Sequence, residues 1–393
     1  MDPHPPALLP DLTVVIPTLN EAGHIGQLLV QLQQQTGLTL EVVVADGGST
    51  DDTIAIVRRA GVLLVEAAPG RGRQLNAGRR AARSPLLLFL HADSRLTGNT
   101  QLAKAVTAFE RARAMASTPV AGHFQLRFHD AQGDAFTYYE GLSALGRAQT
   151  INGDQGMLLE RHWLDTLGGF HEVLPFLEDQ DLSSRIFASG AWVLLPGRIE
   201  TSARRFHVEG TTARSIHNAV TMAFFSFQYA PFFALDRVQY RCQADSRRLA
   251  VRPLAREIWT LLRQQPRILL PLARYTNRHA IWRAAFWLDV RRHGAQAVHH
   301  HPWLSRYTRW VAPWMHTRIG DIVWVIPTVV AYLAVWAWHA RREVSPGALA
   351  PTESSHPTPI SPRRADAGQS TCPSPSWTAG DSRPGSTETR SHH

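Results

Sequence analysis

Four short apolar runs, separated by stretches of helical length and period, constrain this chain more than any other feature. Residues 12–17, 40–45, 62–66 and 86–90 are β-branched or leucine-rich runs of strand length. The patterns over residues 21–35, 50–60 and 71–83 are helical. Ser49 with Asp52 three residues on is a helix-start signal, with acids near the positive end of the helix dipole. Strand–helix–strand alternation predicts an α/β fold whose mostly parallel sheet lies between helices. Ligands of such sheets bind beyond the carboxyl ends of the strands. The residues just after each apolar run are therefore the ones to weigh for function.

Composition limits the alternatives. A length of 393 residues suggests two domains, or one with appendages. Cys242 and Cys372 are the only cysteines, too few for a disulfide framework or a cysteine zinc site. The proline-rich opening is not a signal segment, so the catalytic part is expected in the cytoplasm. The net charge of +9 is uneven: residues 1–235 carry −3, and residues 236–343 carry +12 together with nine of the twelve tryptophans. Arginine mixed with tryptophan suits a membrane interface. A nucleic-acid groove uses the same residue types, but nothing else in the chain supports one, and no nucleic-acid partner is expected.

The chain divides into an N-terminal tail (1–10), an α/β domain (11–240), a basic helical extension (241–318), an apolar helix (319–343) and a disordered tail (344–393). Residues 197–240 read as helical. Residues 250–318 read as basic amphipathic helices broken at Pro266, Pro271, Pro302 and Pro313. The uncharged run 322–338 holds Pro327 and is at the short end of what spans a bilayer. It could span, lie on the membrane, or pack on the domain.

At the strand ends the chemistry-bearing residues are Pro17-Thr18-Leu19-Asn20-Glu21, then Asp46-Gly47-Gly48-Ser49-Thr50-Asp51, then Leu90-His91-Ala92-Asp93. Asp46 could be a ligand contact or a helix cap. The glycine-rich opening of a dinucleotide site, G-x-G-x-x-G, is missing. The stretch from Gly70 to Gly78 contains Arg71, Arg73 and Asn76 at a helix start, a plausible diphosphate cradle or a solvated basic turn. Further on, Leu177-Glu178-Asp179-Gln180-Asp181 sets three acids at a helix start. His299-His300-His301 reads as a solvated run, because adjacent residues point to different helix faces.

These elements, in this order, resemble the nucleotide-sugar-binding domain of family-2 inverting glycosyltransferases, the GT-A fold, over about residues 12–240. The closest likeness is to a small subfamily marked by Leu-His-Ala-Asp and by Gly153-Asp154-Gln155-Gly156, which includes arsenosugar-biosynthesis-type glycosyltransferases. The resemblance implies that Pro17, Thr18, Asn20 and Glu21 hold the nucleoside, Asp46 meets the base, and Arg71, Arg73 and Asn76 serve the diphosphate. It implies that Asp93 is the last acid of the metal motif and binds Mg2+ or Mn2+. His91 stands where that motif's first Asp usually sits, as a direct ligand or as a contact beside the metal or diphosphate.

The resemblance further implies that Asp179 is the general base, and that Asp154, Gln155 and Glu178 face the acceptor. The donor implied is a nucleotide-diphosphate sugar, by default a UDP-sugar, and the acceptor a small-molecule or lipid-like hydroxyl. The Q-x-x-R-W motif of processive synthases is absent, since the chain reads Thr201-Ser202-Ala203-Arg204-Arg205-Phe206. A single sugar addition at the cytoplasmic face of the inner membrane is the resulting expectation. The alternative is a non-catalytic nucleotide-sugar-binding or membrane scaffold protein.

Overall fold

The computed structural model describes residues 9–174, 176–235, 248–249, 251–315 and 317–341. The expected disordered tail at 344–393, both cysteines and most of the N-terminal tail lie outside the described residues. The first half alternates as expected: β1 (Leu12–Thr18), α1 (Ile25–Gln33), β2 (Leu40–Asp46), α2 (Thr53–Arg59), β3 (Leu63–Glu66), α3 (Arg71–Ala81) and β4 (Leu86–Phe89). Then come β5 (Arg95–Leu96), α4 (Gln101–Met115), β6 (Val120–Phe128), α5 (Asp134–Leu142), a single 3₁₀ turn (Gly153–Gln155) and β7 (Met157–Glu160). Helices α6 (Arg161–Thr166) and α7 (Glu178–Ser189) precede β8 (Ala191–Thr201).

The eight strands form one sheet in the order β3-β2-β1-β4-β7-β6-β8-β5. Strands β1 to β4 are parallel, whereas β7 is antiparallel to both β4 and β6. Every residue of β1 is buried, as a central strand covered on both faces requires. Its odd and even residues feed two cores. Val14 and Ile16 pack with α1 and Phe109, while Val15 packs with Leu75, Phe170, Leu182 and Ile186. Pro17 survives in this strand because β4 pairs only as far as Val15, so the missing N–H breaks no ladder bond on that side.

Two sequence expectations need correction. Residues 197–201, expected to be helical, finish β8, which runs beside β6 with an irregularity at His123–Gln125. Pro196 and Gly197 interrupt the alternation that would otherwise mark a strand. Pro271 breaks nothing, since it sits in the first turn of a long helix, where no N–H partner is needed.

Beyond β8 the described residues are mainly helical: α8 (Arg204–Glu209), α9 (Thr211–Ser226), α10 (Ala230–Phe233), α11 (Val251–Gln264), α12 (Leu269–His293), α13 (Pro302–Arg306), α14 (Ala312–Met315) and α15 (Arg318–Arg341). Phe224, Phe232 and Phe233 pack with Leu254, Ile258 and Leu272 to form a third core. The fully buried Asp289 of α12 accepts the N–H groups of Trp303 and Leu304, both at 2.9 Å, and so caps α13. The three adjacent histidines diverge: the His300 ring meets that of His293, and His301 lies against the Ala297 carbonyl.

Helix α3 owes its position to glycine. A Cβ on Gly78 would stand 2.3 Å from Val15 Cγ1 of the central strand. Gly78→Ala should therefore destabilise the protein by about 1–3 kcal/mol through overpacking, read as a lower urea midpoint. An unchanged midpoint would show that α3 is free to slide on the sheet.

Candidate active site

The expected motifs gather at the carboxyl ends of β1, β2 and β4. Register sets Thr18 directly opposite Asp46, and the Thr18 hydroxyl donates to Asp46 Oδ2 at 2.9 Å. Asp46 also accepts from the Gly48 and Ser49 N–H groups at 2.9 and 2.8 Å and from the Ser49 hydroxyl at 2.6 Å. Its carboxylate is thus engaged in holding the turn. Ser49 Oγ in turn accepts the Asn20 N–H at 2.9 Å rather than capping α2, and Asn20 Oδ1 accepts the Thr50 N–H at 2.8 Å. Asn20 adopts φ 57°, a left-handed backbone that asparagine tolerates better than most residues. The two turns are stitched into one platform.

Asn76 and Gln155 are engaged internally as well. The Asn76 amide clamps Phe170, donating to its carbonyl at 2.8 Å and accepting its N–H at 3.0 Å. The Gln155 amide donates to the Thr150 carbonyl at 2.6 Å, and its oxygen lies 3.1 Å from His123 Nδ1. Arg73 reaches back to the Pro69 carbonyl at 3.3 Å. Arg71 instead crosses to the far wall, where it meets the buried Glu178 at 3.5 Å.

Around Gly153 three segments meet. The Gly153 N–H donates to Asp179 Oδ2 at 2.7 Å. A Cβ on Gly153 would lie 3.0 Å from His91 Nε2 and 3.3 Å from Asp179 Oδ2, so glycine permits the approach. Asp179 Oδ1 accepts the Gln180 N–H at 2.8 Å at the start of α7. Leu177 before it adopts φ 66°, a strained backbone for leucine that sets the entry angle of the helix. Gln180 donates to the Ile151 carbonyl and to Asn152, tying the 151–155 segment to α7. The spacing of Gln180 beside the acid pair was its only signal in the sequence.

Charge is crowded here. Asp154 Oδ1 is buried without a hydrogen-bond partner among the described residues. Burial first, then the charges of Asp179 and Asp93, push the Asp154 carboxyl up to about 7. Burial chiefly, helped by Arg71, pushes His91 down to about 4. Glu21 is raised by burial and by Asp93, with His24 3.2 Å away opposing, and Glu178 is raised by burial against the pull of Arg71.

His91, Asp93, Asp154, Asp179, Arg71, Arg204 and Arg205 line one cavity of about 660 Å³. The cavity continues past the sheet to Leu272, Tyr275, Thr276 and Arg283 of α12 and Tyr332 of α15. Sequence reasoning missed the α12 wall. Its signal is the spacing of Leu272, Tyr275, Thr276, His279 and Arg283, one face of a helix. Tyr275 is fixed there by donating to Gln149 at 2.7 Å.

Residues 13–168 match the family model of Glycosyl transferase family 2. That match takes in less than half of the chain, and the fold is α/β and GT-A-like. It is 55% identical over 47 residues to the succinoglycan biosynthesis protein ExoA of Rhizobium meliloti, covering 12% of this chain and 14% of that protein. It is 31% identical over 115 residues to an uncharacterized glycosyltransferase of Mycobacterium tuberculosis, covering 28% of this chain and 50% of that one. The chain spans half or less of the length of these curated relatives. Among solved structures, a mannosyltransferase from Pyrobaculum calidifontis, in complex with GDP-Man and Mn2+, is 20% identical with a TM-score of 0.43, covering 84% of this chain and 88% of that one.

Opposed titrations give this site a pH signature in the metal-free protein. Folding depresses His91 from 6.5 to about 4, so its contribution to stability is lost as pH falls through that window. Folding raises Asp154 from 3.8 to about 7, so its penalty grows as pH rises through an overlapping window. The two slopes offset each other. Asp154→Asn should therefore make stability fall more steeply on acidification, and His91→Gln should make it fall more steeply toward neutral pH. Urea midpoints measured across this range test both, and slopes equal to wild type in both variants would refute the pairing.

Proposed function

We propose that this protein is an inverting glycosyltransferase that moves a single sugar from a nucleotide-diphosphate donor to a hydroxyl acceptor. The observation that carries the reading is the meeting of Asp179, His91 and Gly153 in a cavity that also holds Asp93. A proton acceptor on the α7 side thereby faces the acids at the mouth of the sheet. The family match over residues 13–168 supports it. The Leu90–His91–Ala92–Asp93 and Gly153–Asp154–Gln155–Gly156 motifs support placement in the Leu-His-Ala-Asp subfamily.

In this reading the platform of Pro17, Thr18, Asn20, Glu21 and Asp46 shapes the nucleoside end. Arg71, Arg204 and Arg205 face the diphosphate, while Arg73 and Asn76 hold the loops around it. The acceptor hydroxyl gives its proton to Asp179 as its oxygen attacks the anomeric carbon, and the diphosphate departs from the opposite face with the bonding electron pair. Asp154 borders the reacting sugar. Glu178 keeps Arg71 in place, and Gln155 supports the wall behind.

The residues present fit a hard divalent cation. No three His, Cys, Asp or Glu side chains converge into a full metal cage among the described residues. Mg2+ and its like take one or two carboxylates from protein and complete their shell with phosphate oxygens and water. Asp93 would supply the carboxylate, with His91 and the unpartnered Asp154 Oδ1 beside it. Such a cation, Mg2+ or Mn2+, would draw negative charge from the departing diphosphate. A UDP-sugar donor and a small-molecule or lipid-like acceptor, met at the cytoplasmic face of the inner membrane, complete the reading.

Asp179→Asn keeps an oxygen for the Gly153 N–H but removes the proton acceptor. It should cost about 10²–10⁴ in transfer rate and leave donor affinity, measured by calorimetry, unchanged. Near wild-type transfer in this variant, with Glu178→Gln inactive, would assign the base to the other carboxylate. Asp93→Ala should abolish turnover at ordinary Mn2+ concentrations, and full activity of that variant in a chelator would remove the metal from the reading.

A further inference from the structure

Helix α15 turns aliphatic side chains outward, the wrong sense for a helix packed only against protein in water. Ile319, Ile322, Val323, Ile326, Val330 and Leu333 recur at i, i+3, i+4, i+7, i+11 and i+14, a single stripe at helical period. All six are exposed, from 46% for Leu333 to 71% for Ile319. The opposite face buries Val325 and meets α12 through polar contacts as well. Arg274 Nε donates to Asp321 at 2.7 Å, the Thr328 hydroxyl donates to Asn277 Oδ1 at 2.5 Å, and the Tyr332 and Thr276 hydroxyls are 2.6 Å apart. The apolar face therefore points outward while the polar one is held inward. Contiguous apolar patches of this kind mark a surface that meets something apolar.

What covers it is set by charge and shape. Trp303, Trp310 and Trp314 in the segment just before α15 are exposed as well, with the Arg306 and Arg309 guanidinium groups each 5.0 Å from the centroids of the Trp303 and Trp310 rings. Residues 236–343 carry a net charge of +12. A second copy of the chain would bring that charge against itself, whereas anionic headgroups complement it. The segments Pro302–Met315 and Ile319–Ala334 meet at 99°, and among the described residues no single helix is long and apolar enough to cross a membrane. A helix with one apolar stripe and one face packed on protein suits the plane of the interface.

We propose that the outward stripe of α15, with the exposed tryptophans before it, beds into the headgroup–acyl boundary of an anionic bilayer, the helix lying in the plane of the membrane. This deepens the membrane placement proposed above and does not depend on which carboxylate does the chemistry.

The test uses the full chain and preformed vesicles of phosphatidylcholine with phosphatidylglycerol, or of phosphatidylcholine alone. The wild type should co-sediment with the anionic vesicles and be released by alkaline carbonate. Ile322→Glu/Ile326→Glu should weaken vesicle binding by about tenfold or more. Met115→Glu, an exposed change at the end of α4, should leave it unchanged. Calorimetric binding of donor should be the same in all three, showing an intact sheet domain. If donor binding is absent throughout while vesicle binding follows this pattern, the surface assignment stands and the catalytic reading fails. The proposal is overturned if the double variant binds vesicles like the wild type, or if the wild type ignores them. Resistance to carbonate overturns the in-plane arrangement. A vesicle-free wild-type dimer that the double variant converts to monomer would make the stripe an interface between copies.

Discussion

The hydrogen bond from the Gly153 N–H to Asp179 draws three distant parts of the chain onto one point. Asp179 lies in the first turn of α7, Gly153 begins the turn into β7, and His91 follows β4. Because β4 and β7 pair antiparallel, Phe89 lies beside Met157, and the segment leaving β4 and the segment entering β7 open at the same edge of the sheet. Only a residue without a side chain at 153 lets the imidazole and the carboxylate come this close. The strained Leu177 and the Gln180 clamp fix α7 against that edge, so the carboxylate is positioned by backbone rather than by its own rotamer freedom.

Such convergence is electrostatically expensive. Asp93, Asp154 and Asp179 line one cavity, and the shifts in Asp154, His91 and Glu21 follow from burial first and then from neighbouring charges. Arg71 pairs with the buried Glu178 at a long 3.5 Å, and Glu178 Oε2 has no hydrogen-bond partner among the described residues. A site that served stability alone would pair these groups or replace them with apolar residues. Crowded acids and arginines in one cavity are better explained by a ligand that is itself charged, as a nucleotide diphosphate with its cation would be.

The sheet's first half was legible because its strands are continuous apolar runs and the helices between them are amphipathic. The second half was harder to read. Strand β8 carries Pro196, Gly197 and Arg198 in its middle, and pairing with β6 and β5 keeps it extended. The motif residues were legible by position but not by what each side chain does. Asp46 ends β2, Asn76 lies in α3 and Gln155 in the turn before β7, yet their hydrogen bonds run to turn and loop backbone. A single sequence cannot separate an acid that meets a ligand from one that holds the loop beside it, because both roles ask for the same residue at the same strand end. The α12 wall was hidden for a different reason. Its arginines and aromatics merged with a segment whose overall charge already had an explanation.

That wall links chemistry to surface. The contacts that turn α15's apolar stripe outward, Thr276 with Tyr332 and Asn277 with Thr328, hold the helix pair together, and Thr276 and Tyr332 also line the cavity that holds Asp179. Rotating α15 by half a turn would bury six aliphatic side chains, but it would break these bonds and leave Asp321 and Arg274 unmatched. It would also remove Tyr332 from the cavity wall. The polar contacts thus select one rotation of the helix, and that rotation leaves the aliphatic stripe exposed. If that environment is the edge of a bilayer, the far end of the cavity lies one helix thickness from the headgroups, about 10 Å. An acceptor with an apolar body could then enter between α12 and α15 without leaving the interface. Its hydroxyl would meet Asp179 at the point where Gly153 brings the three segments together.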